Sequence, residues 1–442
     1  MENPRECALD VLIKVDKKEE LSHIAISNVL EKYQFSEKRD RAFFTRLVEG
    51  TLERQITIDY VADQFSKTKI RKCKPLIRAL LRMGIYQLLY MDQVPDSAAC
   101  NEAVKLAKKR GFSRLSGFVN GVLRNISRKK ETISYPKKDK NLVTYLSVTY
   151  SIPEWIIKFF MKTYDDETVE KIIESYLEDK KTTLCCLMSK GGKDVIRKEL
   201  EEENVTVEDG ELIENSVKIS DYDFLYRLRA FREGKCYVQD ESSMLCAKLA
   251  GAKEGQFVMD LCSAPGGKSL YTADQMKGSG QVLSRDLTEY KTDLIEDNIE
   301  RMGFTNMEAE VFDATILDEE HIEAADVVIA DVPCSGLGIM GKKNDIKYHI
   351  SEDGMKDLVK LQREILTNAV QYVKHGGTLI YSTCTINPEE NEKNMQWIIN
   401  NFDYEAVDIT EELPKNLKIE TAKDGYIQLL PGVHPCDGFF IA

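Results

Sequence analysis

Along the first 128 positions, apolar residues return at intervals of three and four. Leu9, Leu12 and Ile13 do so, then Phe43, Phe44, Leu47 and Val48, then Leu80, Leu81, Ile85, Leu88 and Leu89. This is the spacing of helices that each bury one stripe. Alternation of β-branched residues is absent, so the stretch predicts an all-helical domain of roughly five to seven helices. Asp96 or Ser97 is placed to cap a helix running through Val104 and Leu106 to Gly111. From Arg124 to Lys140 the stripe gives way to Arg124, Arg128, Lys129, Lys130, Lys137, Lys138 and Lys140 around Pro136, which predicts a basic linker.

Shorter signals alternate from Tyr145 to about Gly234. Pro153-Glu154-Trp155 opens a helix through Phe159 and Phe160. Leu184–Met188, Val205–Val207 and Ser216–Ile219 predict strands, and Asp194–Leu200 a helix. From Gln239 onward the pattern sharpens. Glu241–Leu249 predicts a helix. Short strand signals at Phe257–Met259, Gln281–Ser284, Glu308–Phe312, Val327–Ala330 and Thr378–Tyr381 alternate with helical stretches, Tyr290–Arg301 and Met355–Lys374 among them. Strands alternating with helices of that length predict a mostly parallel, doubly wound α/β sheet. The expected organisation is a helical domain with its basic linker at 1–140, a small α/β module at 141–234 and the parallel sheet at 235–442.

Charge divides along the same lines. The whole chain carries −13, but residues 1–140 carry +11 and the remainder −24. A basic helical third on an acidic body suggests a polyanion-binding module attached to something else. No apolar run is long enough to span a membrane, and Met1 to Arg5 does not read as a signal peptide. The eleven cysteines are an odd, scattered set without a Cys-x-x-Cys pair. They predict reduced thiols in the cytoplasm, neither a disulfide framework nor a zinc site. Cys185, Cys186, Cys236 and Cys246 are expected to be small buried apolar residues.

Two other cysteines stand apart. Cys334 follows the strand Val327–Ala330 in Asp331-Val332-Pro333-Cys334, and Cys384 follows Thr378–Tyr381 in Ser382-Thr383-Cys384. One crossover helix between two parallel strands leaves both thiols at the carboxyl edge of the sheet, where such sheets bind ligands. Asp286, Asp313 and Asp331 fall at the same edge, beyond the turn Ala264-Pro265-Gly266-Gly267-Lys268. That turn lacks the dinucleotide fingerprint and the P-loop spacing, which disfavours a nicotinamide enzyme or a nucleotide hydrolase. Asp286, about 20 residues beyond the turn, is placed to take ribose hydroxyls. Acids around the slot suit S-adenosylmethionine, whose sulfonium is cationic and which has no pyrophosphate. A thiolate that adds to carbon-6 of a pyrimidine makes carbon-5 nucleophilic enough to take a sulfonium methyl group. Asp331 is placed to serve the ring, and Lys268 to favour a thiolate.

Three segments carry a family resemblance. They are Asp260-Leu-Cys-Ser-Ala-Pro-Gly-Gly-Lys-Ser269, Asp331-Val-Pro-Cys-Ser-Gly-Leu-Gly338 and Tyr381-Ser-Thr-Cys-Thr-Ile-Asn-Pro-Glu-Glu-Asn-Glu392. They resemble the Nol/Nop/Sun RNA 5-methylcytosine methyltransferases, with a class I Rossmann-like S-adenosylmethionine-dependent sheet. Asp40 to Phe44, Leu81 to Leu88 and Gly117 to Arg124 resemble a NusB-like RNA-binding domain. Together they are similar to the RsmB/Sun branch, the 16S ribosomal RNA cytosine-5 methyltransferases. The resemblance implies Cys384 as nucleophile, Cys334 as the residue that assists release, and Asp331 facing the cytosine. It also implies S-adenosylmethionine held by Cys262, Ser263, Ala264, Pro265, Gly266, Gly267 and Lys268 with Asp286, Asp313 and Asp331. The expected partner is 16S ribosomal RNA, met by a monomer. Alternatives at this stage are a transfer RNA or other RNA substrate, or a non-catalytic RNA-binding factor. A DNA cytosine methyltransferase would use the Pro-Cys thiol alone, and the second thiol argues against it.

Overall fold

Asn3 starts the first helix, Pro4–Asp16: its side chain accepts from the backbone N–H groups of Arg5 and Glu6 at 3.0 and 3.3 Å, and Pro4 stands at the first helical position. Such a cap contributes about 1 kcal/mol. The structure is a computed structural model that describes residues 3–33, 36–178 and 181–442. Met1 and Glu2, the start of the segment read for a signal peptide, lie outside the described residues. Contacts divide the chain into two units, Met1–Glu178 with Met340–His349, and Asp179–Ile339 with Ile350–Ala442.

In the first unit, seven α-helices form between Pro4 and Arg128 among the described residues. The helix Pro75–Tyr90 is buried from Ala79 through Leu88, so it is the central rod around which the others pack. Its one buried cation, Arg82, forks onto Asp59 at 2.8 and 2.7 Å and reaches Asp16 at 3.0 Å. Bidentate pairing of this kind is what makes a guanidinium tolerable in an apolar interior.

Three details differ from the sequence expectation. Asp96 and Ser97 do not cap their helix, Asp96–Lys109; Pro95 occupies the cap position. Asp96 instead takes Ser127 and Lys130 at 2.7 and 2.8 Å. Arg124 and Arg128 lie within the helix Ser113–Arg128, so the basic linker begins later than its charge run suggests. The first unit also continues past residue 140. The helix Leu142–Tyr150 and the turn after it are tied to the helix Gln55–Phe65 through Thr57 Oγ1 to the Val148 carbonyl at 2.6 Å and Ile56 N–H to Ser151 Oγ at 2.9 Å.

The first unit also contains ten residues from far along the chain. Asp345 accepts the buried Ser22 N–H at 2.8 Å. Lys347 Nζ donates to the Glu53 carbonyl at 2.8 Å and the Tyr348 hydroxyl to the Leu52 carbonyl at 3.0 Å. Those carbonyls belong to the last two residues of the helix Lys38–Glu53, where its own i+4 N–H donors run out. Met340–His349 is thus a C-terminal cap donated in trans along the sequence.

The second unit holds two sheets. The smaller contains β1 (Thr182–Cys186), β2 (Thr206–Asp209), β3 (Ser216–Ser220) and β4 (Cys236–Val238), antiparallel in the order β2-β3-β1-β4. Cys185, Cys186, Cys236 and Cys246 are all buried, as expected. Burial pushes the thiols of Cys185, Cys236 and Cys246 up to about 12. They are packing residues with little thiolate character.

The larger sheet contains β5 (Phe257–Asp260), β6 (Gln281–Asp286), β7 (Met307–Val311), β8 (Ala325–Asp331), β9 (Val373–Thr383), β10 (Ile427–Leu429) and β11 (Phe439–Ile441), in the order β10-β11-β9-β8-β5-β6-β7. β5 to β9 are parallel, while β11 is antiparallel to β9, and β10 to β11. Side chains alternate between two apolar layers. Val258, Val282, Val327 and Ile329 join one, and Met259, Leu283, Val328 and Ala330 the other. A strand buried on both faces is continuously apolar, which is why these strands read as short solid runs.

Lys347 yields a measurable consequence. Burial drives its pKa down to about 7, so the folded state favours the neutral amine. Above pH 7 unfolding must take up a proton, and stability therefore rises with pH from about 7 to about 10, the ordinary lysine range. Thermal unfolding of the first unit's helices should follow that slope in the wild type. Lys347→Met should flatten it and raise the midpoint near neutrality.

Candidate active site

β8 and β9 run parallel with Asp331 opposite Ser382. The chain leaves both strands at the same edge, and three residues after Asp331 and two after Ser382 come the two cysteines. Their sulfurs are 3.2 Å apart. Both are half-buried. The contact to Cys384 is the first cause, burial the second and the Glu390 carboxylate a further one, that raise the Cys334 thiol well above its ordinary value.

Each loop is pinned on either side of its thiol. Gln362, from the helix Glu352–Tyr372, donates to the Pro333 carbonyl at 2.9 Å, just before Cys334. Just after it, the Ser335 N–H donates to Glu390 at 2.8 Å, and its hydroxyl meets that of Thr385 at 2.7 Å. Around Cys384, Thr383 Oγ1 donates to Asn391 Oδ1 at 2.6 Å, and Asn391 Nδ2 donates to the Thr385 carbonyl at 2.9 Å. The Gly338 N–H donates to the carbonyl of Cys384 itself at 3.1 Å. Gly338 has a packing reason to be glycine, since a Cβ there would stand 2.1 Å from the Gly438 carbonyl oxygen.

Beside the thiols, Lys268 Nζ donates to Asp331 Oδ2 at 2.6 Å and Ser382 Oγ to Oδ1 at 2.8 Å. Burial works against the Lys268 ammonium, but Asp331, together with Cys246 and Asp260, more than offsets it and holds the lysine above its ordinary value. Its charge is spent on Asp331, and the charged group acting on Cys334 is an anion.

The glycine turn lies one strand further along. After Asp260 at the end of β5, Gly266 takes φ 99°, a conformation that favours glycine, and starts the helix Gly267–Gln275. Asp286, the last residue of β6, accepts the Ala264 N–H at 3.0 Å and Lys291 Nζ at 2.8 Å. Asp313 lies two residues past β7 and takes the Thr315 N–H and hydroxyl at 2.9 and 2.7 Å, bonds that lower its pKa. Asp260, Asp286 and Asp331 thus end adjacent strands, and Asp313 follows on the edge strand. Asp260 was not singled out from the sequence. Burial raises its carboxyl to about 6, and its Oδ1 has no hydrogen-bond partner among the described residues.

Sequence reasoning also missed Glu390, Asn391, Gln362 and Ser335. The run Asn387-Pro388-Glu389-Glu390-Asn391 was quoted only as a motif. Its signal is a cluster of acids and amides directly after a strand, but nothing local distinguishes buried Glu390 from exposed Glu389.

A doubly wound sheet with two antiparallel closing strands, a glycine turn after its first strand and acids at successive strand ends defines a Rossmann-like methyltransferase, here carried with a NusB-type helical domain. Residues 2–128 match the NusB family, and residues 247–442 match the family described as 16S rRNA methyltransferase RsmB/F. The probable ribosomal RNA small subunit methyltransferase B of Bacillus subtilis is 36% identical, covering 99% of this chain and 97% of its own length. The solved structure of PH0851 superposes with a TM-score of 0.82 at 26% identity, covering 99% of this chain and 98% of that one. NSun6 of Pyrococcus horikoshii, solved with SFG, shares the fold at TM-score 0.57 and 19% identity, over 66% of this chain and 97% of its own. The chain belongs to the RsmB/F family of RNA methyltransferases.

The Gly338–Gly438 contact tests the geometry. Gly338→Ala should push the backbone that holds the Cys384 carbonyl and cut the methyl-transfer rate at least about tenfold, a barrier change of about 1.4 kcal/mol. Circular dichroism should show the fold retained.

Proposed function

We propose that the chain transfers a methyl group from S-adenosylmethionine to carbon-5 of one cytidine in 16S ribosomal RNA, with Cys384 as the nucleophile and Cys334 as the thiol that assists release. It would act as a cytoplasmic monomer. The observation that carries this reading is the pair of sulfurs 3.2 Å apart at the ligand edge of a methyltransferase sheet. One thiol suffices to attack a pyrimidine, and a second at that distance is placed to act on the resulting adduct.

The residues present fit the cofactor. Asp260 Oδ1 and Ser284 Oγ are buried, unpartnered oxygens in β5 and β6 beside the glycine turn. A buried acceptor without a donor is costly, and a cationic amino-acid moiety would satisfy it. Cys262 to Lys268, with Asp286, Asp313 and Asp331, would hold the cofactor; Lys291, about half exposed, is the partner of Asp286 that ribose hydroxyls would replace. S-adenosylmethionine supplies a methyl group made electrophilic by its sulfonium. NSun6, solved with SFG, an analogue of that cofactor, has the same fold, which supports the choice.

The thiols do the covalent work. The Cys384 thiolate adds to carbon-6, and the electron pair displaced from the 5,6-double bond makes carbon-5 nucleophilic. Asp331, held by Lys268 and Ser382, faces the base. Once carbon-5 carries the methyl group, loss of its proton to a base restores the double bond and expels the Cys384 thiolate. Cys334 stands where it can assist that step. The RNA target is supported by the NusB match, the basic charge of residues 1–140, and full-length relatives named for small-subunit ribosomal RNA.

Labelled S-adenosylmethionine and unmodified small-subunit RNA should give 5-methylcytosine at one position, with no transfer by Cys384→Ala. Cys334→Ala should accumulate a protein–RNA adduct that survives denaturing electrophoresis. An adduct with Cys384→Ala instead would reverse the two roles, and label on transfer RNA alone would move the substrate.

A further inference from the structure

Among the described residues, Glu390 is a carboxylate of the thiol region with no cation on it. It is fully buried, and its oxygens accept from Ser335 N–H at 2.8 Å, Gln362 Nε2 at 2.9 Å and Asn387 Nδ2 at 2.8 Å. All three donors are neutral. They hold the carboxylate in place without bringing a counter-charge to it. Its negative field is then left uncancelled in a region of low dielectric, where it acts strongly on neighbours.

Its links reach both loops. One bond ties it to the residue after Cys334, and Gln362 ties it to the residue before Cys334. On the Cys384 side the adjacent Asn391 holds Thr383 and Thr385, and the Glu390 carbonyl accepts from the Tyr381 hydroxyl of β9. Tyr381 also lies by Cys334 and is kept protonated by burial, while Asp331, at the end of the same strand, is paired with Lys268.

We propose that Glu390 is the positioning residue of the thiol pair: it clamps the two loops together and makes Cys334 the thiol that keeps its proton when the pair ionises. The bond topology is asymmetric. Glu390 is one hydrogen bond from the backbone beside Cys334 and acts on that thiol, whereas its connection to Cys384 runs through Ser335–Thr385 or Asn391. When the pair loses one proton to solvent, the negative charge avoids the carboxylate and settles on Cys384, and the Cys334 S–H donates to it across 3.2 Å. The two thiols are chemically alike, and this buried charge makes them unequal.

The inference deepens the covalent mechanism proposed above, and its test is independent of substrate. The full chain is alkylated with iodoacetamide across a pH series, and carboxamidomethylation is read at each cysteine by mass spectrometry. In the wild type Cys384 should react at lower pH than Cys334; the reverse order overturns the proposal even if no variant folds. In Glu390→Gln the Cys334 midpoint should fall by about one pH unit or more, and Glu390→Asp, which keeps the charge, should restore most of the difference. If Glu390→Gln slows methyl transfer and leaves both midpoints in place, Glu390 is merely structural and the proposal fails. A wild type that shows the expected alkylation order but transfers no methyl group would sink the methyltransferase mechanism while leaving the clamp standing.

Discussion

The parallel pairing of β8 with β9 is the constraint from which the site follows. With Asp331 opposite Ser382, the chain emerges from both strands at one level, and loops only a few residues long bring Cys334 and Cys384 together. Side chains alternate faces along a strand, so a slip of one position would exchange the two apolar layers and carry one thiol away from the other. The register is enforced by burial on both faces. Val327 and Ile329 pack in one layer while Val328 and Ala330 pack in the other, so each set has its own neighbours to fit. A hydrophobic requirement spread over the whole sheet thus sets the separation of two sulfurs at its edge.

The sheet and both thiols were legible in the sequence because they depend on short-range pattern: solid apolar runs, helical spacing between them, and loops that begin where the runs end. The rest of the site was not legible. Glu390 and Glu389 are neighbours of the same chemistry, and only the tertiary position of Ser335, fifty-five residues earlier, decides that one is buried and the other exposed. Lys268 was read as a general source of positive potential because its partner Asp331 is sixty-three residues away. The division near residue 140 was drawn at a run of lysines, yet Thr57 and Ile56 bond across it to Val148 and Ser151. Composition marks where solvent begins, and packing marks where a unit ends.

Buried charge serves different ends in the two units. Arg82 is fully answered by Asp59 and Asp16, and it orders a helical core. Lys268 and Asp331 answer each other at the carboxyl edge of the sheet. Glu390 is answered by dipoles alone, so its position is fixed and its field remains available. Neutral donors fix a charge in place without cancelling it, whereas a counter-ion does both.

The ten residues Met340–His349 have a consequence for the integrity of the chain. They follow the Cys334 loop directly, return to the sheet unit at Ile350, and between those points close the carboxyl end of a helix in the other unit. The polypeptide therefore crosses between the units three times. No single cut yields two complete pieces: a fragment beginning at residue 181 would carry Lys347 and Tyr348 away from the carbonyls they satisfy, and a fragment ending at residue 178 would leave those carbonyls open. Exchanging either unit therefore also means replacing the segment that follows the Cys334 loop.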